Sequence, residues 1–358
     1  IQGDWDKSYN LWYNINLSKL FDIDEELIRE IKGLNFNQNN ISYIYGKLKR
    51  FLNNRGIEIK KIRKLLSENI NEDSIRQSDK DFGIVTINLS EMKPMELYLE
   101  DIPEGKLVDY LIASSYLPAF KMEKMGGNLF LDGGFYDNLP ISLLADKGYK
   151  DIIAVRTYAM GRIRNIDNKD LNITYISPDE NLGGTFDFEQ ENIRYNIKLG
   201  YYDALKVFKN LSGNRYYIDL ESKDKAEDHF IDFFLQLDKK QLKLIGKILN
   251  IKDLKGRRML FEKVIPKLTV LLDINYESNY EDIVIKLLEW AAKKMNVERF
   301  KIYLYRDFIK EISRNLQEQG ELETRNIPSF VRHNDLLSRA VSDHILKDIV
   351  HVIFSDIE

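Results

Sequence analysis

The segment with the most chemistry to offer is Leu131-Asp132-Gly133-Gly134-Phe135-Tyr136-Asp137-Asn138-Leu139-Pro140-Ile141. Asp132 follows a short apolar strand, Leu129 to Leu131, and two glycines follow it. In open α/β sheets, ligands and reacting groups gather at the C-terminal ends of strands. Gly133 and Gly134 allow a tight turn and a close approach of the backbone. An acid so placed is a candidate general base. Taken alone, Asp-Gly-Gly is also what a turn acid looks like when it satisfies local N–H groups. Asp137 is close enough in sequence to assist Asp132, but a second loop acid more commonly caps backbone or meets solvent.

Other residue types narrow the chemistry. The chain has no cysteine, so thiol nucleophiles and cysteine metal sites are excluded. All four histidines lie late, at His229, His333, His344 and His351. A catalytic centre within residues 1–228 therefore uses neither a histidine base nor a histidine-bound metal. His344 and His351 stand seven apart, which is no metal-ligand spacing. Ser114 and Ser115 end an apolar helix, where capping or packing is expected. Ser212-Gly213 lies in a polar turn. Gly126-Gly127 and Gly183-Gly184 lack the strand–glycine–helix setting of a phosphate loop. The expectation is a centre with no metal and no cofactor.

These residues need elements to hold them. Trp5, Tyr9, Leu11 and Trp12 read as an aromatic-rich opening helix. Leu27, Ile28 and Ile31, then Ile59, Ile62, Leu65 and Leu66, repeat at helical spacing. Phe82 to Asn88 is a β-branched run, Ser90 to Pro94 is turn chemistry, and Met95, Leu97 and Leu99 alternate as a half-buried strand. Residues 107–115 form an apolar helix that Pro118 ends. Pro140 opens a short helix that runs to Gly148. Ile152 to Val155 is continuously apolar, as a parallel strand buried on both faces requires. Strand, turn, short helix and strand there make a βαβ unit.

After about residue 215 the pattern is helical. Stripes fall at Leu242, Ile245 and Leu249, at Ile283, Val284, Leu287, Leu288 and Ala291, at Ile302, Tyr305, Phe308 and Ile312, and from Leu336 to Ile353. Ser278 and Glu281 suggest a capping box. Buried bundle faces are expected rather than membrane-binding ones. No apolar run reaches the roughly 18 residues of a membrane-spanning helix. Lys and Arg total 53 and Asp and Glu 57, a net charge of −4, which speaks against nucleic acid as a partner.

Several motifs recur in order around the acid: Ala113-Ser114-Ser115-Tyr116-Leu117-Pro118, Asp132-Gly133-Gly134, Asn138-Leu139-Pro140-Ile141, Ile176-Ser177-Pro178, Leu182-Gly183-Gly184-Thr185-Phe186-Asp187-Phe188, and Leu199-Gly200-Tyr201-Tyr202-Asp203-Ala204. The series resembles the C-terminal half of the patatin-like phospholipase catalytic domain, of a bacterial type. Ile1-Gln2-Gly3-Asp4 through Leu11-Trp12 resembles the stretch after that family's nucleophile helix. The resemblance implies a three-layer α/β domain over residues 1–215, lacking its N-terminal part, and a mainly helical domain over 216–358. It implies a lipid acyl hydrolase that acts on phospholipid or related esters at a membrane surface. Its serine sits in a Gly-x-Ser-x-Gly elbow, and the aspartate, here Asp132, takes the proton directly. Gly133 and Gly134 complete the motif around the base.

No Gly-x-Ser-x-Gly occurs in the 358 residues, and the family's glycine-rich oxyanion loop is missing as well. By the resemblance the serine lies roughly ten residues before Ile1, so these residues alone are expected to be inactive. A chain opening on Ile1 is expected to be an excerpt or a processed fragment. A cytoplasmic location with peripheral contact to membrane is expected, subject to any upstream signal. The alternative function is a non-catalytic binding or assembly module built on the same fold.

Overall fold

The computed structural model describes residues 1–15, 58–118, 120–159, 161–166, 170–184, 189–221, 226–275, 278–318 and 339–354. The helix expected around Leu27 to Ile31 lies outside the described residues, as do His333, residues 185–188 and residues 336–338. The chain divides into two compact units, Ile1–Asp203 and Ala204–Glu358.

In the first unit, α1 spans Trp5–Asn14, α2 Lys60–Asn69 and α3 Glu72–Arg76. Strands β1 (Gly83–Asn88) and β2 (Lys93–Tyr98) form an antiparallel hairpin, Gly83 opposite Tyr98 and Asn88 opposite Lys93. Pro94 belongs to β2 rather than to the turn. A proline fits there because β2 is the edge of a sheet ordered β2-β1-β3. Helix α4 (Leu107–Ser114) is started by a distant acid: Glu72 accepts the N–H groups of Gly105 at 2.9 Å and Leu107 at 3.1 Å. Its apolar side packs Ile112 and Ala113 with Ile59, Tyr116 and Phe130.

Strand β3 (Phe130–Asp132) is followed by a tight 3-10 turn, Gly133–Phe135, and by α5 (Ile141–Asp146). Then come β4 (Asp151–Val155) and β5 (Asn172–Ile176). The topology corrects the βαβ reading. Strand β3 pairs antiparallel with β1, whereas β4 pairs parallel with β5, Asp151 opposite Asn172. Burial of β4 on both faces also fails. Ile152 and Ala154 pack against Ile141, Leu139 and Ile173, but Ile153 is 55% and Val155 61% exposed. Successive side chains point to opposite faces, and among the described residues only one face of β4 is covered. A groove of about 260 Å³ is lined by Tyr98, Leu139, Leu143 and residues 152–155. Helix α6 (Gln190–Phe208) carries the chain from the first unit into the second.

The second unit is helical, as the stripes predicted. After β6 (Tyr217–Asp219) come α7 (Ala226–Leu235), α8 (Lys239–Ile248), α9 (Gly256–Met259), a π turn (Leu260–Val264) and α10 (Ile265–Leu271). They are followed by α11 (Tyr280–Lys294), β7 (Ile302–Leu304), α12 (Tyr305–Glu318) and α13 (Arg339–Phe354). One core joins them, with Phe230, Leu260, Leu287, Leu288, Phe308 and Ile349 near its centre. Two local expectations shift. The capping box on α11 is Asn279 with Asp282, one residue later than Ser278 with Glu281. Ile302 belongs to a strand, because β7 pairs parallel with β6, Tyr217 opposite Ile302.

Candidate active site

Asp132 is the last residue of β3, and three neighbours fix its position. Its N–H donates to Tyr116 O at 2.9 Å, so the chain just after α4 lies along β3. Thr86 stands opposite it on β1. Ser114 Oγ donates to Val85 O at 2.8 Å, tying the end of α4 to the same strand. That is the packing role expected of Ser114. Ser115 turns its hydroxyl back to Leu111 O at 3.0 Å.

The two glycines are explained by proximity. A Cβ on Gly133 would stand 2.1 Å from Val85 O, inside the backbone of β1. A Cβ on Gly134 would stand 2.9 Å from Asn138 Oδ1 and 3.1 Å from Asp132 Oδ1. The turn therefore presses flat against β1 and folds back on the acid. In that geometry Asp132 Oδ1 accepts the Gly134 N–H at 2.7 Å. Burial pushes the Asp132 carboxyl above its ordinary value, and the Gly134 bond works the other way. Raised basicity suits a group that must take a proton near neutral pH.

A second segment props the turn. Arg162 N–H donates to Gly134 O at 2.9 Å, Asn138 N–H donates to Arg162 O at 2.6 Å, and Asn138 Nδ2 reaches Ala159 O at 3.3 Å. Arg164 pairs with Glu96 at 2.6 Å and lies over the Tyr136 ring, 4.8 Å from its centroid. Asp137 is only 2% exposed. Its Oδ1 accepts from Leu139 N–H at 3.2 Å and Arg164 N–H at 3.5 Å, while Oδ2 is buried without a partner. Asp137 is thus a buried strut of the loop, not a solvated acid. Sequence reasoning missed residues 159 and 161–164 altogether. A non-periodic loop carries no signal of what it touches; Gly161, at φ +154° where an added Cβ would stand 2.5 Å from Gly134 O, is the one residue type that hinted at close approach.

Phe130 sits two residues before Asp132, on the same face of β3. With Tyr110, Ala113 and Met125 it lines a cavity of about 200 Å³. Among the described residues, no serine, threonine or histidine side chain hydrogen-bonds to the Asp132 carboxylate; Gly134 N–H is its partner. No group of His, Asp or Glu among the described residues is arranged to hold a metal ion. The site is a strand-end acid on an α/β scaffold, its basicity raised by burial.

That arrangement belongs to an α/β protein with a buried carboxyl at a strand terminus. The family model described as Patatin-like phospholipase matches residues 3–145, which include α1, β1 to β3, Asp132, Gly133 and Gly134. Over those residues the chain is similar to patatin-like phospholipases, and a helical C-terminal region follows. No curated protein matches the chain.

Proposed function

We propose that the protein is a lipid acyl hydrolase of the phospholipase A type that works through a Ser-Asp dyad. Asp132 is its base. The serine belongs to a Gly-x-Ser-x-Gly elbow that these 358 residues do not contain. The observation that carries the reading is the geometry of Asp132: a carboxyl at a strand end, held by one N–H, made more basic by burial.

In this mechanism the unbonded oxygen of Asp132 takes the serine proton as the serine oxygen attacks the ester carbonyl. The alcohol or lysolipid leaves as the proton is returned to it. Water then enters and gives its proton to Asp132 as its oxygen attacks the acyl-enzyme carbonyl; the bond to serine breaks, the fatty acid leaves, and Asp132 returns the proton to the serine oxygen. No metal or cofactor takes part. Substrate is met at a membrane surface from the cytoplasm, by adsorption; no helix among the described residues is long and apolar enough to cross a membrane.

The test is phospholipid hydrolysis by the full-length protein, with release of fatty acid followed directly. Labelling with a serine-directed fluorophosphonate locates the nucleophile. Absence of both turnover and labelling in full-length protein would refute the proposal.

A further inference from the structure

Arg156 is a cation that the dyad leaves without a task. It follows β4 directly and extends its ladder, its N–H donating to Ile176 O at 2.8 Å. Alternation along the strand puts its side chain on the face of Ile152 and Ala154, together with Tyr175, which stands opposite Ala154 on β5. The guanidinium carbon lies 5.0 Å from the centroid of the Tyr175 ring and 5.9 Å from that of Tyr158. Both rings are exposed and Arg156 is half-buried. The rings hold the cation from the side, and it stays open to solvent.

No carboxylate neutralises it. Among the described residues Arg156 takes part in no ion pair, and its guanidinium makes no hydrogen bond. Stacking engages the flat face of a guanidinium and leaves the N–H groups at its edge free. One of these, on Nε, is buried with no acceptor. A buried charged donor without a partner is costly. Other arginines of this unit avoid that cost: Arg63 pairs with Asp109, Arg76 with Glu72 and Arg164 with Glu96.

The loop that leaves Asp132 runs beside this cation. Leu139 packs on the same face of β4, with Ile152 and Ala154. Three residues after Arg156, Ala159 O accepts from Asn138 Nδ2 at 3.3 Å, and three residues of chain span at most about 10 Å. Asn138 lies against Gly134, whose N–H holds the Asp132 carboxylate.

We propose that Arg156 binds the phosphate of a phospholipid substrate and so selects phosphate-bearing lipids over neutral ones. This rests on the hydrolase reading and deepens it. A guanidinium edge presents paired donors that match phosphate oxygens, and a phosphate supplies the acceptor that Nε lacks. In a phospholipid the phosphate stands only a few bonds from the scissile ester, so a cation beside the loop of the base is within a substrate's length of it.

The test is hydrolysis by the full-length protein of phosphatidic acid and of diacylglycerol with the same acyl chains, two lipids that differ only by the phosphate. Both are presented in micelles of neutral detergent. Arg156→Met keeps an apolar stem against Tyr175 and loses the charge. Its kcat/KM for phosphatidic acid should fall about tenfold or more, the size of a lost charged hydrogen bond, while that for diacylglycerol is unchanged. Arg156→Lys, with the charge but not the fork, should lie between. Equal loss on both lipids, which a merely structural Arg156 would give, overturns the proposal, as does equal activity of all three proteins on phosphatidic acid. If the wild type hydrolyses neither lipid, the hydrolase reading fails by itself. The site is then judged by calorimetry of glycerol 3-phosphate on the 358-residue chain, with glycerol as the control. Saturable binding that Arg156→Met weakens about tenfold supports the phosphate site and assigns it a soluble ester. No saturable heat, or equal binding by the two proteins, overturns it.

Discussion

Replacing Asp132 by Asn in the full-length protein should abolish hydrolysis without loosening the fold. The amide is nearly isosteric with the carboxylate. Its Oδ1 can still accept the Gly134 N–H, now 2.7 Å away. Its nitrogen cannot take a proton at neutral pH, and among the described residues no histidine hydrogen-bonds to the carboxylate. General-base assistance is worth ~10²–10⁴ in rate, so activity should fall to about a hundredth or less. Stability should move the other way or not at all. The carboxyl is raised by burial above its ordinary value of 3.8, so the folded state binds protons more tightly than the unfolded one. As pH rises from 3.8 through the raised value, the wild type loses stability. Asn carries no such penalty, and it trades a charged acceptor for a neutral one, so the two effects oppose. The assays are fatty-acid release from phospholipid vesicles and thermal unfolding across pH. Wild-type activity should also decline as pH falls through the raised value, where the base becomes protonated. If the Asn variant retains more than about a tenth of wild-type activity, Asp132 is not the base, since even the weakest general-base help exceeds that. A large loss of stability would instead show that Asp132 is chiefly a turn residue.

Three further outcomes are expected. Gly133→Ala places a methyl 2.1 Å from Val85 O and should cost about 3 kcal/mol or more, read from urea unfolding of the 358-residue chain; a near-neutral effect would refute the close packing of the turn. Glu289→Ala strips the acceptor from three backbone N–H groups and should cost about 3 kcal/mol, whereas Glu289→Gln, which keeps one oxygen, should be milder and should flatten the decline in stability as pH rises above 4.5; equal losses in the two variants would show that the oxygen is not the point of contact. The 358-residue chain by itself should hydrolyse lipid esters no faster than buffer, because loss of a catalytic serine costs on the order of 10⁶; turnover of a p-nitrophenyl ester that a fluorophosphonate abolishes would reveal a nucleophile among these residues.

What was legible in the sequence was local. The Asp132-Gly133-Gly134 turn could be read because turn chemistry depends on adjacent residues and because glycine marks close approach. The stripes on α11 and α12 could be read because a helix repeats its buried face every three to four residues. Pairing between distant segments was not legible. Strand β1 joins β3 with Ile87 opposite Leu131, and β6 joins β7 with Tyr217 opposite Ile302, because three-residue strands carry too little pattern to name a partner. Ile153 and Val155 read as buried and are exposed: apolar residues state that burial is favourable, and only the packed neighbours decide whether a covering face is there. Asp137, Ala159 and residues 161–164 make the same point for the candidate site. Their contacts depend on two loops meeting in space. Chain order says nothing about that meeting, since the backbone bonds between Gly134, Asn138 and Arg162 can be made by any residue type but proline at the donor.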